Sequence, residues 1–370
     1  MARGLASLAV VLFHFIHFYW LDGRPAVVDH SVAPLYGLLK PIYEHGAIAV
    51  NLFFCLSGFV FFWFYEMEIR EQRIGPIRFA WLRFSRLYPL HLATLFMVLM
   101  LQATFTAANG QPFVYTHNDA YHLGLNLFFL QASTLERGLS FNGPTWSISV
   151  ECLLYALFFV AARWGLLRTW ITPVLFALVG LLVWQFGYTN IGHGIAGFFG
   201  GGVTYHAFVA IKASRSARFF SIGITFGASA AWAAVLTCAY AGFTLSSSEV
   251  ADIAMIALLL PATVLALALV EVILRVDFSR LAWLGDISYA SYLLHFPLEL
   301  LLALVLTQGL IPRDSVTSVP GLVVFFAALI VASRVVYRRF EMPAQRWLRR
   351  VGDSEPEGSA REKTAALRRP

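Results

Sequence analysis

The chain is 370 residues long, with 59% hydrophobic and only 13% charged residues and a formal net charge of +6. So apolar a composition excludes an ordinary soluble domain and indicates a polytopic membrane protein. The positive charge does not indicate a nucleic-acid partner, because most cations fall in the gaps between apolar runs, where they mark membrane topology.

Ten apolar runs are long enough to cross a bilayer as helices, the state that satisfies every backbone group within a span. They cover residues 4–20, 45–65, 87–108, 145–163, 169–187, 191–211, 219–241, 251–274, 285–308 and 319–337. The predicted fold class is therefore all-α, an integral membrane bundle of about ten transmembrane helices. A shorter run at 123–131 is expected to be re-entrant or interfacial.

The basic residues favour ten crossings with both termini in the cytoplasm. In that topology 23 of the 27 Lys and Arg residues are cytoplasmic, as the positive-inside rule predicts. An eleventh crossing at 123–131 would reverse every later loop. We expect one membrane domain over residues 1–350 and a disordered cytoplasmic tail over 351–370.

The first span has a cation at its mouth and an imidazole deep inside it. Arg3 and His14 are eleven residues apart, on nearly the same helical face and roughly 16 Å apart along the axis. An ionisable group at that depth is costly, so it needs a structural partner or a chemical role. His17 is expected to be polar lining.

Spans two and three also carry polar groups. Asn51 is an amide within span two, and Arg83 and Arg86 share a helical face at the cytoplasmic start of span three. Guanidinium groups suit phosphates, through charge and paired hydrogen bonds. The alternative is that both arginines are only topology signals.

Span four opens, at its outer end, with Trp146, Ser147, Ser149 and Glu151. Ser147 and Glu151 are four residues apart and therefore share a face. The carboxylate can bind sugar hydroxyls or orient the imidazole of His14. Trp146 can stack on a sugar ring or anchor the helix at the interface.

Span nine carries His295, at a depth comparable to that of His14, so it is a second candidate for a chemical role. Tyr289 and Tyr292 can donate to a developing oxyanion. The alternative is that Pro297 interrupts the helix and these polar groups satisfy the freed carbonyls.

Two outer loops, 21–44 and 109–144, are large, and the second either covers a substrate entrance or is a plain connector. Three cysteines lie within apolar runs at no metal-ligand spacing, so we expect neither a disulfide nor a metal site.

Six segments, taken together and in order, resemble the membrane-bound acyltransferase 3 family, whose bacterial members O-acylate cell-surface glycans. They are Arg3-x10-His14, Phe53-Phe-x-Leu-Ser-Gly-Phe59, Arg83-x-x-Arg86-Leu-Tyr-Pro89, Trp146-Ser-x-Ser-x-Glu151, Ser288-Tyr-x-x-Tyr-Leu-Leu-His295-x-Pro297 and Phe340-Glu341-x-Pro343. The resemblance implies an acyl-CoA donor in the cytoplasm, acetyl-CoA by default, and a hydroxyl acceptor presented from the other side. It implies His14 as the catalytic histidine.

On this basis we expect a multi-pass O-acetyltransferase of the bacterial inner membrane, with His14 as base or acyl carrier. The expected catalytic residues are Arg3, His14, Glu151 and His295. Arg3, Arg83 and Arg86 are expected to bind the donor, and Asn51, Trp146, Ser147, Ser149, Tyr289 and Tyr292 the acceptor. The expected partners are a carbohydrate or other hydroxylated acceptor, membrane lipids and glycan-synthesis machinery.

Two other classes of protein stay open on the sequence. A transporter or flippase of lipid-linked sugars would also need buried polar groups and long outer loops, with the glycine run 192–202 as a flexible segment. A structural partner in a glycan-export complex is the third. Some family members also carry a soluble SGNH-type domain, and from the sequence we expect none here. We therefore expect the membrane domain itself, or a separate protein, to complete the transfer.

Overall fold

The computed structural model describes residues 1–23, 29–242 and 249–353. Arg24 and residues 354–370, most of the predicted tail, lie outside the described residues. The part of the chain that the structure describes is helical and contains no strand. The all-α prediction is confirmed.

The helices are α1 (Ala2–His14), α2 (Tyr36–His45), α3 (Ile48–Phe64), α4 (Glu66–Arg70), α5 (Pro76–Asn109), α6 (Ala120–Leu127), α7 (Trp146–Arg163), α8 (Ile171–Gln185), α9 (Thr189–Ala213), α10 (Ala217–Tyr240), α11 (Glu249–Ala254), α12 (Leu260–Val272), α13 (Ala282–Asp286), α14 (Ser288–Thr307), α15 (Arg313–Thr317), α16 (Val319–Val336) and α17 (Met342–Asp353). A 3-10 turn, Phe15–Tyr19, extends α1. Wide helical turns at Met255–Leu259 and Tyr337–Glu341 join α11 to α12 and α16 to α17.

Helices occupy all ten predicted spans. Among the described residues, eight stretches are long and apolar enough to cross a membrane by themselves. A ninth forms if α2 and α3, bent by 61° at their junction, act as one span, and α8 is a shorter apolar helix of 15 residues. The membrane bundle is therefore confirmed, whereas the side on which each terminus lies stays a prediction.

Two helical stretches are much longer than a bilayer requires. Helix α5 and the stretch Val319–Gly352 each have 34 residues, about 51 Å at 1.5 Å per residue against a hydrocarbon core of about 30 Å. Trp81 donates to the carbonyl of Leu348 at 2.8 Å, so the extra turns of the two stretches pack together. They form a wall beside the site described below.

Glycines let α9 approach its neighbours closely. A methyl group on Gly58 of α3 would meet the carbonyl of Phe198 on α9, and one on Gly201 would meet the carbonyl of Cys55. Small residues at helix contacts are a common way of packing helices in membranes. The transporter hypothesis treats the glycine run 192–202 as a flexible segment. In the structure this run lies within the continuous helix α9.

The segment at 123–131 does not form a span. Helix α6 has only eight residues and packs beside α5, where a ring nitrogen of His91 hydrogen-bonds the carbonyl of Asn126 at 2.9 Å. Ser149 of α7 donates to the carbonyl of Phe129 at 2.6 Å. The segment is therefore held against the bundle without crossing it.

Helices α1 and α14 run side by side in the same direction. Ser7 and Ser291 hydrogen-bond through their hydroxyls at 2.7 Å, and farther along the pair His17 meets Glu299. This parallel arrangement requires an odd number of crossings between span one and span nine, and the predicted topology has seven, spans two to eight. Polar residues of the two helices therefore contact one another along this pair.

Candidate active site

Three arginines and a carboxylate from three helices line one cavity of about 330 Å³. Arg3 comes from α1, Arg83 and Arg86 from α5, and Glu151 from α7, with Tyr289 of α14 completing the wall. We call it the arginine cavity. The three predicted donor-binding residues are therefore neighbours, although 80 residues of chain separate Arg3 from Arg83.

Arg83 is surrounded by aromatic rings. Its guanidinium carbon lies 4.7 Å from the ring centre of Tyr65 and 5.1 Å from that of Phe61, and the guanidinium also donates to the Tyr65 hydroxyl at 2.5 Å. Its Nε has no hydrogen-bond partner among the described residues. No carboxylate neutralises Arg83 within salt-bridge distance in that part of the chain, so its charge is available to a ligand.

Arg86 has a protein counter-ion. Its Nη1 lies 2.5 Å from Oε1 of Glu341, a side chain that is only 2% exposed. The pair joins α5 to the wide turn between α16 and α17. Glu341 belongs to the last of the six motifs, and its partner was not predicted. Of the three arginines, Arg86 has its charge satisfied within the protein.

Glu151 lies in the arginine cavity, at the end of α1 that carries Arg3. From the sequence we expected this carboxylate in the outer turns of span four, binding sugar hydroxyls or orienting the imidazole of His14. It accepts hydrogen bonds from Ser57 at 3.0 Å and from the hydroxyl of Tyr155 at 2.5 Å. The chain from 110 to 145 returns into the bundle before α7 begins, which accounts for the difference.

A narrow space of about 50 Å³ continues the arginine cavity toward Tyr292 and is also lined by Arg3, Glu151 and Ser147. The Tyr292 hydroxyl lies 2.6 Å from the carbonyl of Pro144 and 2.8 Å from the hydroxyl of Ser147. The Tyr292 ring contacts that of His295, with ring centres 5.8 Å apart. Tyr292 therefore stands between the cavity and the histidines.

Three imidazoles form a column at the other end of the α1–α14 pair. The rings of His14 and His295 are stacked, with centres 5.1 Å apart and planes at 21°. His17 lies 5.1 Å from His14, and its Nδ1 is 2.8 Å from Oε2 of Glu299. The two candidate catalytic histidines are thus one pair rather than rivals at separate places.

The column retains unused hydrogen-bonding capacity. Nδ1 of His14, Nε2 of His295 and Oε1 of Glu299 have no partner at hydrogen-bonding geometry among the described residues. His295 and Glu299 are fully buried, whereas His14 is half-buried and keeps part of its surface accessible. Unsatisfied buried polar groups are costly, which favours a chemical role over simple packing.

Pro297 removes a backbone donor inside α14, and a side chain from another segment replaces it. The missing hydrogen bond would reach the carbonyl of Leu293, four residues earlier. Nδ2 of Asn142 donates to that carbonyl at 2.9 Å. Tyr289 donates to a different carbonyl, that of Leu87 on α5, at 2.6 Å. Both tyrosine hydroxyls of α14 are therefore engaged with backbone, and an oxyanion role would require a change of partner.

Three predicted acceptor-binding residues lie apart from the two cavities. Asn51 is buried on α3, with its backbone carbonyl facing Gly197. Trp146 packs edge-on against Phe54, with ring centres 6.3 Å apart. The hydroxyl of Ser149 is used in holding the segment after α6. Their positions favour structural roles.

Sequence reasoning missed Glu299 and the role of Glu341. A signal was present for Glu299, which is an acidic residue inside an apolar run, four positions after His295 and therefore on the same helical face. Glu341 was named only as part of the last motif, and nothing in the sequence indicated that it pairs with Arg86. Among the described residues, no group of three or more His, Cys, Asp and Glu side chains is placed to hold a metal ion.

The chain resembles known proteins along most of its length. A family model described as an acyltransferase domain matches residues 1–338. Protein 2 in the picA locus of Rhizobium radiobacter is 34% identical over 191 residues, which are 49% of this chain and 88% of that protein. Acyltransferase MdmB of Streptomyces mycarofaciens is 34% identical over 159 residues, 42% of this chain and 36% of that protein. No solved structure matches.

Proposed function

The chain belongs to the acyltransferase 3 family, and on that premise we propose that it is an O-acetyltransferase of the bacterial inner membrane. It moves an acetyl group from cytoplasmic acetyl-CoA to a hydroxyl of a glycan or another extracytoplasmic acceptor. Membrane lipids and glycan-synthesis machinery are its expected partners.

One observation carries the proposal: the arginine cavity and the histidine column lie at successive levels of the same helix pair, α1 and α14. Arg3 lines the cavity at the start of α1, and His14 ends that helix about 16 Å farther along its axis. A phosphate-bearing donor held at the cavity can therefore extend its thioester toward His14, while the acceptor approaches from the other end.

In the donor step, Arg83 and Arg3 attract the phosphates of coenzyme A, and the narrow extension receives the acyl end. Arg83 is the stronger candidate of the α5 pair, because Glu341 already neutralises Arg86. The ring of Tyr292 must turn aside for the thioester to reach His14. Glu151 holds the cavity wall in shape through Ser57 and Tyr155.

In the transfer step, His14 acts by one of two routes. As a base, it accepts the proton of the acceptor hydroxyl while that oxygen attacks the thioester carbon. As a carrier, its ring nitrogen takes the acetyl group and passes it on, so that donor and acceptor need not bind together. His295 supports the ring of His14 by stacking.

The proposal is tested with purified protein in lipid nanodiscs, acetyl-CoA labelled in the acetyl group, and methyl glucoside, methyl galactoside and methyl rhamnoside as acceptor probes. We expect CoA release and labelled ester, both lost in His14→Ala. His206→Ala is the matched control, since this half-buried histidine bonds the carbonyl of Leu167 away from the site.

CoA turnover that persists in His14→Ala would exclude the proposed role of this residue. Wild-type protein that never releases CoA, with any of these probes or with native membrane extract, would favour the transporter alternative. Transport of a lipid-linked sugar is then the activity to measure.

A further inference from the structure

His17 and Glu299 form a buried acid–imidazole pair that the proposed reaction has not used. Nδ1 of His17 is 2.8 Å from Oε2 of Glu299, and the two side chains are 4% and 0% exposed. A carboxyl group inside an apolar helix is expensive, and a buried ion pair is weak support for stability when a hydrophobic pair can replace it. The pair is therefore a candidate for a chemical role.

The pair lies on the far side of His14 from the arginine cavity. Its imidazole is 5.1 Å from that of His14 between ring centres, and Trp20 and Tyr115 pack on it at 4.9 and 5.9 Å. Tyr115 belongs to the loop after α5, on the predicted outer side. His17 is thus placed next to the acyl-accepting ring and toward the side from which the acceptor comes.

We propose that His17 is a second catalytic residue, which transfers the proton in acceptor acylation, and that Glu299 is its positioning residue. The inference rests on the proposed function and selects the carrier route for His14. With Glu299 ionised, Nδ1–H of His17 donates to the carboxylate, and Nε2 becomes the basic position of the ring.

The step balances with the residues present. After the donor step the acetyl group is bound to a ring nitrogen of His14, and CoA has left as the thiol. The acceptor oxygen then attacks the acetyl carbon while its proton passes to Nε2 of His17. The new C–O bond forms, the C–N bond to His14 breaks, and His17 returns the proton to the departing imidazole of His14. The ester and both neutral histidines result.

The geometry allows His17 to carry a proton from the acceptor hydroxyl to the imidazole of His14. Rings whose centres are about 5 Å apart can both be reached by one hydroxyl at hydrogen-bond distance, as general acid–base catalysis requires. His14 is half-buried and His17 is 4% exposed, so the proposal requires the acceptor hydroxyl to reach Nε2 of His17 from the side of His14. An ionised Glu299 holds the proton of His17 on Nδ1, which lies 2.8 Å from its Oε2.

A purely structural pair would behave differently. If His17 and Glu299 only tie α1 to α14, replacing either residue weakens the fold and reduces both half-reactions together. If they act on the acceptor, the donor half-reaction survives. Ser7→Ala is the matched control, because Ser7 and Ser291 form another buried polar contact in the same helix pair, nearer the arginine cavity.

The experiment follows the two half-reactions of the full chain in nanodiscs, with labelled acetyl-CoA and the methyl glycosides as probes. CoA is measured by chromatography and protein-bound label after rapid quenching. For His17→Asn we expect the first equivalent of CoA at the wild-type rate, accumulation of labelled protein, and ester formation slowed about 100-fold, the lower end of the usual range for a proton-transfer contribution. Glu299→Gln is expected to show the same pattern more weakly, with Glu299→Asp recovering part of the rate.

Three outcomes are distinguishable. Equal losses of CoA release and ester formation in His17→Asn, at an unchanged melting temperature, would overturn the proposal, as would an unchanged rate of ester formation. A pattern in Ser7→Ala like that in His17→Asn would reduce the pair to a structural contact and also overturn it. Absence of CoA release from the wild-type protein would instead contradict the proposed function.

Discussion

At the scale of single residues, the arginine cavity holds charges of two kinds. Arg86 is paired with Glu341, and Arg83 has aromatic rings and a tyrosine hydroxyl around it but no carboxylate within salt-bridge distance in the described chain. Arg–aromatic contact leaves the charge in place and gives the side chain a fixed position. Two arginines three residues apart on one helix are thereby expected to differ in function.

Substitution by Gln separates these roles. Arg86→Gln leaves Glu341 buried without its cation, so we expect the free energy of unfolding to fall by about 1–3 kcal/mol. The double variant Arg86→Gln/Glu341→Gln removes both charges, so it should recover most of the lost stability.

Arg83→Gln is expected to raise the KM for acetyl-CoA about tenfold, which corresponds to the loss of one charge-assisted hydrogen bond. Thermal unfolding and donor titration measure the two effects.

Equal KM values for acetyl-CoA in Arg83→Gln and the wild type would leave Arg83 as a topology signal. A double variant no more stable than Arg86→Gln would show that Arg86 and Glu341 are not coupled.

The sequence indicated several residues of the candidate site, but it did not indicate which of them contact one another. The polar groups within apolar runs pointed to Arg3, His14 and His295, because lipid makes such groups costly wherever they lie. It could not show that His14 stacks on His295, since contacts between distant helices depend on how the bundle packs. Glu151 was assigned to the wrong end of the bundle for a related reason: a loop that folds back into the membrane does not differ in composition from one that stays outside.

At the scale of elements, α14 lacks one backbone hydrogen bond, and a side chain from outside the helix replaces it. Pro297 leaves the carbonyl of Leu293 without its usual donor, and Asn142, from the turn before α7, supplies one. This places α7 and its motif against the level of α14 that carries His295. The turn Asn142-Gly143-Pro144 is thus a structural part of the site, and the sequence indicated only that it was a turn.

Removing that donor is expected to be costly. Asn142→Leu should lower the free energy of unfolding by about 1–3 kcal/mol, because a buried carbonyl loses its partner. Pro297→Ala restores a backbone N–H at the position that serves Leu293. We therefore expect the double variant to be more stable than Asn142→Leu alone in thermal unfolding. Additive losses would mean that the two residues do not serve the same carbonyl.

The contact between α3 and α9 depends on glycine. A methyl group on Gly58 meets the backbone of Phe198, whereas one on Gly223 of α10 meets nothing within 4 Å. Gly58→Ala should therefore destabilise the protein by about 1–3 kcal/mol through overpacking. Gly223→Ala should stabilise it by up to about 1 kcal/mol, since alanine loses less entropy in a helix.

The melting temperatures of the two alanine variants test this contrast. A Gly58→Ala protein as stable as Gly223→Ala would show that α3 and α9 can separate slightly without loss.

At the scale of the whole molecule, the parallel direction of α1 and α14 agrees with the count of crossings derived from the basic residues. The parallel direction does not by itself orient the bundle in the membrane, whereas the basic residues do so if the positive-inside rule holds. In that case the arginine cavity faces the cytoplasm and the histidine column lies toward the other side. The hydropathy pattern was sufficient to locate the apolar helices, because length and apolarity are local properties.

Cysteine labelling tests that orientation. Thr116 and Arg350 are exposed, whereas the native Cys55, Cys152 and Cys238 are buried or half-buried within helices. We expect Thr116→Cys to react with a membrane-impermeant maleimide in intact cells, and Arg350→Cys only after the cells are permeabilised. The unsubstituted protein serves as the control for background labelling. The opposite pattern would invert the proposed direction of transfer.

The pairing of His17 with Glu299 joins residues 282 positions apart. At about 5–20 residues per second, a ribosome reaches Glu299 roughly 15 to 60 s after it has made His17. Throughout that interval the nascent α1 carries Arg3, His14 and His17 without the helix that accommodates them. The polar contacts between α1 and α14 therefore form only when nearly the whole chain has been synthesised.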